Sequence, residues 1–206
     1  MKKQIEFFYK KAIETEENTV FFSEKDSRNN PHTIEGNFNV FGGNFLRFSK
    51  TFIEQGTFNP DSTLTYQDDG IALETNSKTL ILVEIKTTIG FQTYQKILKQ
   101  LCASYLKTLL KLSLIESPQH IDIQFFIIGN WHKKDIEEET LALDEPNEQE
   151  QIYLSFWKLK RNGVVVFPQF PHFAYLSNNL APAYKKEKVK IWYYPPNSTH
   201  NIRENR

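Results

Sequence analysis

The chain has 206 residues, 39% of them hydrophobic and 24% charged, with a formal net charge of zero. That balance fits a soluble globular protein of one or two domains and excludes wholesale disorder. No apolar run approaches the roughly 18 residues of a membrane span, the charged start MKKQIEFFYKK lacks the apolar middle of a signal peptide, and the single cysteine, Cys102, excludes an intramolecular disulfide or a Cys-rich zinc site. A reducing cytoplasm is the expected location. The charge is unevenly spread. Residues 135–150 hold eight of the 25 acids and no base, so the rest of the chain carries 25 bases against 17 acids. A modestly basic body permits a phosphate-backbone partner without demanding one.

In chain order, Ile5, Phe8, Tyr9, Ala12 and Ile13 share one face at helical spacing and predict a helix over 3–17. RNNPH and NVFGGNF carry turn chemistry, and LRFSKTFIEQG predicts a short helix ending at Gly56. Two strand-like runs then flank the polar turn Thr75-Asn76-Ser77-Lys78. The second, Leu80–Ile85, is apolar on both faces, as in a central strand. After Gly90 the period becomes helical, with Tyr94, Ile97, Leu98, Leu101, Cys102, Tyr105, Leu106 and Leu109 on one broad face until Ser117-Pro118 breaks it. IDIQFFIIGN predicts another buried strand, and the acidic segment that follows predicts loop or solvated helix. QIYLSFWKLKRNG predicts a helix closed by Gly163, though its alternation also allows a strand, GVVVFP and KVKIWYYPP predict strands, and the tail STHNIRENR predicts disorder. The expected fold is α/β, a mixed sheet flanked by helices. The strand after the long helix lies parallel to the central strand through a crossover. No repeat or linker divides 1–206, so a single domain is expected.

A hairpin symmetric about Asn76-Ser77 brings Asp69 opposite Glu84. Opposed side chains share a sheet face at ~5 Å, and Lys86, two residues on, shares it too. Facing carboxylates in an apolar strand are unfavourable unless a cation joins them. An all-oxygen donor set favours Mg²⁺ or Mn²⁺ over Zn²⁺.

Asp69-Gly70-Ile71-Ala72-Leu73, then Glu84-Ile85-Lys86, then an amphipathic helix and a further strand, resembles the PD-(D/E)XK nuclease superfamily. The resemblance covers roughly residues 1–130. It implies a restriction-endonuclease-like core in αβββαβ order, with 131–200 as a peripheral or substrate-selecting extension. It also implies Asp69 and Glu84 as metal ligands, the Ile85 carbonyl as a further ligand and Lys86 as the catalytic lysine. By the same analogy Glu16 of the first helix joins the ligands and Gln100 of the long helix joins the catalytic set. Asp68 stands where the family's nominal proline would be, and the literal Pro60-Asp61 lies upstream. The implied activity is phosphodiester hydrolysis in DNA with Mg²⁺ or Mn²⁺, with a homodimer as a possible assembly. The alternative is a catalytically inactive member that binds nucleic acid or serves assembly. In an unrelated α/β protein, Asp69, Glu84 and Lys86 would be an ordinary surface salt-bridge cluster. Lys96, Lys99, Lys107 and Lys111 fall within a ~120° arc of the long helix, a solvated face or a phosphate-tracking stripe. Lys185, Lys186, Lys188 and Lys190 beside Trp192, Tyr193 and Tyr194 offer charge plus stacking, or surface lysines over buried rings. The five histidines show no metal spacing, and Cys102 belongs to the core face.

Overall fold

The computed structural model describes residues 1–9, 11–25, 34–49, 52, 70–132, 147–169 and 187–202. Among them are three α-helices and eight strands, and the strands form one mixed sheet. Helix α1 spans Lys2–Phe8, strand β1 Ile13–Lys25, β2 Ile34–Phe48, β3 Gly70–Glu74 and β4 Thr79–Ile89. Helix α2 follows at Phe91–Leu112, then β5 at Asp122–Trp131, α3 at Glu148–Asn162, β6 at Val164–Gln169, β7 at Glu187–Tyr194 and β8 at Ser198–Asn201. The sheet order is β1-β2-β3-β4-β5-β7-β6, and β8 lies beside β2.

The centre is β4. Its residues Thr79–Ile85 are all buried, because α2 covers one face and the other packs into a second apolar cluster. Leu80 and Leu82 belong to the helix side with Tyr94, Leu98, Leu101 and Tyr105. Ile81, Val83 and Ile85 belong to the opposite side with Phe22, Phe38 and Phe126. All eight residues expected on the buried face of α2 are buried, Cys102 among them. β4 and β5 pair in parallel across α2, the expected crossover. The three other expected late elements also form. An Asn147–Glu150 capping box opens α3 and Gly163, at φ +71°, closes it. β6 and β7 then extend the sheet beyond β5.

Five expectations are corrected. The helix over 3–17 stops at Phe8. Lys11 takes a left-handed φ of +57°, the chain reverses, and Ile13–Lys25 become β1, paired with β2 along nearly its whole length. Gly42-Gly43 is no turn between elements. It lies inside β2, where Gly42 (φ +90°) permits a bend. Residues 46–48 of the expected short helix belong to β2 as well, and of the remainder only Ser49 and Phe52 are described. The tail is not disordered at its start. Ser198–Asn201 pair in parallel with Phe38–Phe41, burying His200 and Ile202. Finally, α2 ends at Leu112, before Ser117-Pro118, which instead opens a short 3₁₀ turn.

The second face of the sheet has no helix among the described residues. The β1–β2 hairpin covers it instead. Phe45–Arg47 pair with β3, yet Phe22, opposite Phe38, lies against Gly70 of β3. The Phe38 ring lies 5.2 Å from that of Phe126 of β5, tilted by 42°. Both contacts require the hairpin to fold back over β3 and β4. Its bend at Gly42 and its irregularities between Ile13 and Thr15 and between Glu17 and Thr19 allow that. No described helix is long and apolar enough to cross a membrane.

Candidate active site

The hairpin register is the expected one: Glu74 lies opposite Thr79, Ala72 opposite Ile81 and Gly70 opposite Val83. Asp69, the next residue before Gly70, lies outside the described residues, as do Asp68 and Pro60-Asp61. Glu84 follows Val83 on β4 and is fully buried. Alternation along the strand gives Glu84 and Lys86 the face of Leu80 and Leu82, beneath α2.

Two oxygens converge on one cation there. The Lys86 ammonium lies 2.6 Å from Glu84 Oε1 and donates to the Ile85 carbonyl oxygen at 3.0 Å. Lys86 is about one quarter exposed, whereas Glu84 is sealed. The carboxylate thus gains a charge-assisted contact that offsets part of its desolvation. The arrangement also tests the donor set. The two expected ligands of β4 already share one positively charged centre, and both are hard oxygen donors. They fit Mg²⁺ or Mn²⁺. No group of three or more metal-ligating side chains is found among the described residues, a set that excludes Asp69.

Glu16 does not join them. It sits on β1 rather than on a helix, opposite Leu46, and that row continues through Leu73 to Leu80. Leu80 is four residues from Glu84, roughly 13 Å along a strand. Glu16 is instead exposed and paired to Lys2 at 2.8 Å, which lowers its carboxyl below the usual range. Gln100 is half-buried on α2, which packs back over β4. It lies ~14 Å from the start of its helix, and Glu84 lies ~16 Å from the end of its strand, so the two share a similar depth.

The lysine stripe of α2 divides. Lys96 and Lys99 are exposed, but Lys107 is buried. Lys111 is half-buried, donates to the Phe52 carbonyl and lies 4.7 Å above the Phe52 ring. Burial, with help from Lys107, pushes the Lys111 ammonium down to about 8. These two lysines belong to the packing rather than to a solvated stripe. On β7, Lys188 and Lys190 are exposed, while Trp192 and Tyr194 pack against the second core cluster. Lys185 and Lys186 lie outside the described residues, as do residues 135–146 of the acidic segment.

Three features around the site have no clear sequence signal. Glu74, at the other end of the hairpin, is a second buried carboxylate. Gly129 stands opposite Lys86 in the parallel ladder, and the Tyr193 hydroxyl donates to the Gly129 carbonyl at 2.9 Å. The glycine closing an apolar strand was the available hint. No family model, curated protein or solved structure matches the chain.

Proposed function

We propose that the chain is a metal-dependent nuclease of the PD-(D/E)XK type, with a restriction-endonuclease-like core, hydrolysing phosphodiester bonds in DNA. One observation carries the reading: a sealed Glu84 and the Ile85 carbonyl share the Lys86 ammonium on β4, just beyond the last described hairpin pair, Gly70 opposite Val83. The parallel β4–α2–β5 unit supports it. Glu84, the Ile85 carbonyl and Asp69 would hold Mg²⁺ or Mn²⁺. When bound, such an ion polarises a phosphodiester oxygen and lowers the pKa of its water. The packing that buries Glu84 beneath α2 keeps competing solvent from that side of the site. Lys86, with its partly exposed ammonium, meets the charge that develops on phosphorus oxygens as water adds and the ester oxygen leaves. Gln100, at a similar depth on α2, would orient that water.

The Glu84–Lys86 pair neutralises itself, which is the observation favouring the second reading, a non-catalytic nucleic-acid-binding module. Incubation with supercoiled and single-stranded DNA in Mg²⁺, Mn²⁺ or EDTA separates the two. Cutting that needs metal and vanishes in Glu84→Ala and Lys86→Ala supports the nuclease. DNA retention without cutting in either metal supports the module.

A further inference from the structure

β4 meets an irregularity just past its candidate residues. The ladder with β5 runs in step as far as Lys86 opposite Gly129 and resumes with Thr88 opposite Asn130. Thr87 is therefore the extra residue of a bulge, a device that bends a strand and re-aims its side chains. The bulge is gripped from β5. A Cβ at Gly129 would collide with the Lys86 carbonyl oxygen and lie 2.9 Å from Ile89 Cδ1. Only the missing side chain lets the two backbones approach so closely. Asn130 Nδ2 donates to the Thr87 carbonyl at 3.5 Å, and the His132 amide donates to the Ile89 carbonyl at 2.9 Å.

A third strand adds to the grip. Tyr193 of β7 sits opposite Ile127, which in turn sits opposite Glu84. Its side chain runs along this face and its hydroxyl donates to the Gly129 carbonyl. Its ring is fixed by Trp131, 4.5 Å away between centroids. Trp131 in turn meets Phe156 of α3 at 5.5 Å.

We propose that Gly129 and Tyr193 are positioning residues, which hold the Thr87 bulge and so fix the backbone from which the Lys86 ammonium reaches Glu84 and the Ile85 carbonyl. Their effect on rate rests on the nuclease reading; their effect on Lys86 does not. On this account the late strand β7 is part of the site's scaffold rather than a peripheral addition.

The test uses the full chain, wild type, Gly129→Ala and Tyr193→Phe. Tyr193→Phe removes one hydroxyl and no ring, so it remains informative if Gly129→Ala fails to fold. Three quantities are read: thermal midpoint, kcat and KM for DNA cleavage in Mg²⁺, and the Lys86 side-chain NMR signal, assigned by its loss in Lys86→Met. Tyr193→Phe is expected to leave the thermal midpoint and KM close to wild type, to lower kcat about tenfold through misplacement of Lys86, and to shift or broaden the Lys86 signal. A folded Gly129→Ala is expected to do the same more strongly. An unchanged Lys86 signal in Tyr193→Phe overturns the proposal. A wild-type chain that cuts no DNA, while its Lys86 signal still responds to Tyr193→Phe, overturns the nuclease reading and supports the brace.

Discussion

The β3–β4 hairpin ends in two buried carboxylates, and they are held in opposite ways. At the turn, Glu74 accepts hydrogen bonds from the amides of Asn44, Asn76 and Ser77 and from the Ser77 hydroxyl. Gly43 leaves room for its stem, since a Cβ there would crowd Glu74 Cγ. At the open end, Glu84 faces the ammonium of Lys86. Backbone amides are fixed dipoles that nothing can displace without unfolding the turn. An ammonium on a flexible, partly exposed stem can yield its place. One carboxylate is thereby committed to structure, and the other is left able to exchange its cation. Burial alone does not distinguish the two carboxylates; the groups that hold them do.

The comparison breaks most visibly in activity. Glu84→Gln keeps the volume and removes the charge, and it is expected to lower metal-dependent cleavage by about a thousandfold, measured under single-turnover conditions. Its thermal midpoint should move little, because Lys86 can turn outward to solvent. Equal cleavage by the variant would refute the assignment. Glu74→Gln should do the reverse. An amide presents two donors of its own to a nest of donors, so unfolding in urea is expected to become easier by about 2 kcal/mol, with cleavage per folded molecule unchanged.

Acid sharpens the contrast further. Burial works to raise the Glu74 carboxyl, but the hydrogen bonds from Ser77, Asn44 and Asn76 outweigh it and the carboxyl ends below its usual range. A carboxyl lowered on folding contributes stability that is present above its unfolded value, near 4.5, and is lost as pH falls through the folded one. Stability measured from pH 6 down to 3 should therefore fall less steeply in Glu74→Gln than in wild type.

The smallest effect concerns a lysine held without the arrangement that Lys86 enjoys. Lys111 is pushed down to about 8 from 10.5, mainly by burial. Between those values the unfolded chain binds the proton that the folded chain has lost, so stability rises with pH across that window. Lys111→Met should flatten that rise, modestly, because the group is half-exposed and screened. A slope unchanged from wild type would show that Lys111 is as well solvated folded as unfolded.

Much of the site's frame was legible because it is local. The Thr75–Lys78 turn fixes the register of its own hairpin, and a strand buried on both faces has only one way to read. The periodicity of α2 named its buried residues for the same reason. The β1 segment misled because Ile13 and its neighbours satisfy a helical face as well as a strand. What decides between them is pairing with β2, a partner some 30 residues away. The tail was misread likewise: STHN has no core of its own and becomes a strand only because Phe38–Phe41 offer an edge. Glu16 fell with the helix that was to carry it. The Lys107 and Lys111 positions could not be told from a solvated stripe, since the apolar cover over Phe52 comes from elsewhere in the chain. The bulge at Thr87 depends on a glycine in a different strand, and no spacing within β4 announces it.

The most direct measurement is Mn²⁺ binding, followed by electron paramagnetic resonance of free Mn²⁺ on titration with wild type, Glu74→Gln and Glu84→Gln. Wild type and Glu74→Gln are expected to deplete free Mn²⁺ alike, and Glu84→Gln is expected not to. Binding by Glu84→Gln as tight as wild type, or no binding by wild type itself, would contradict the assignment of Glu84.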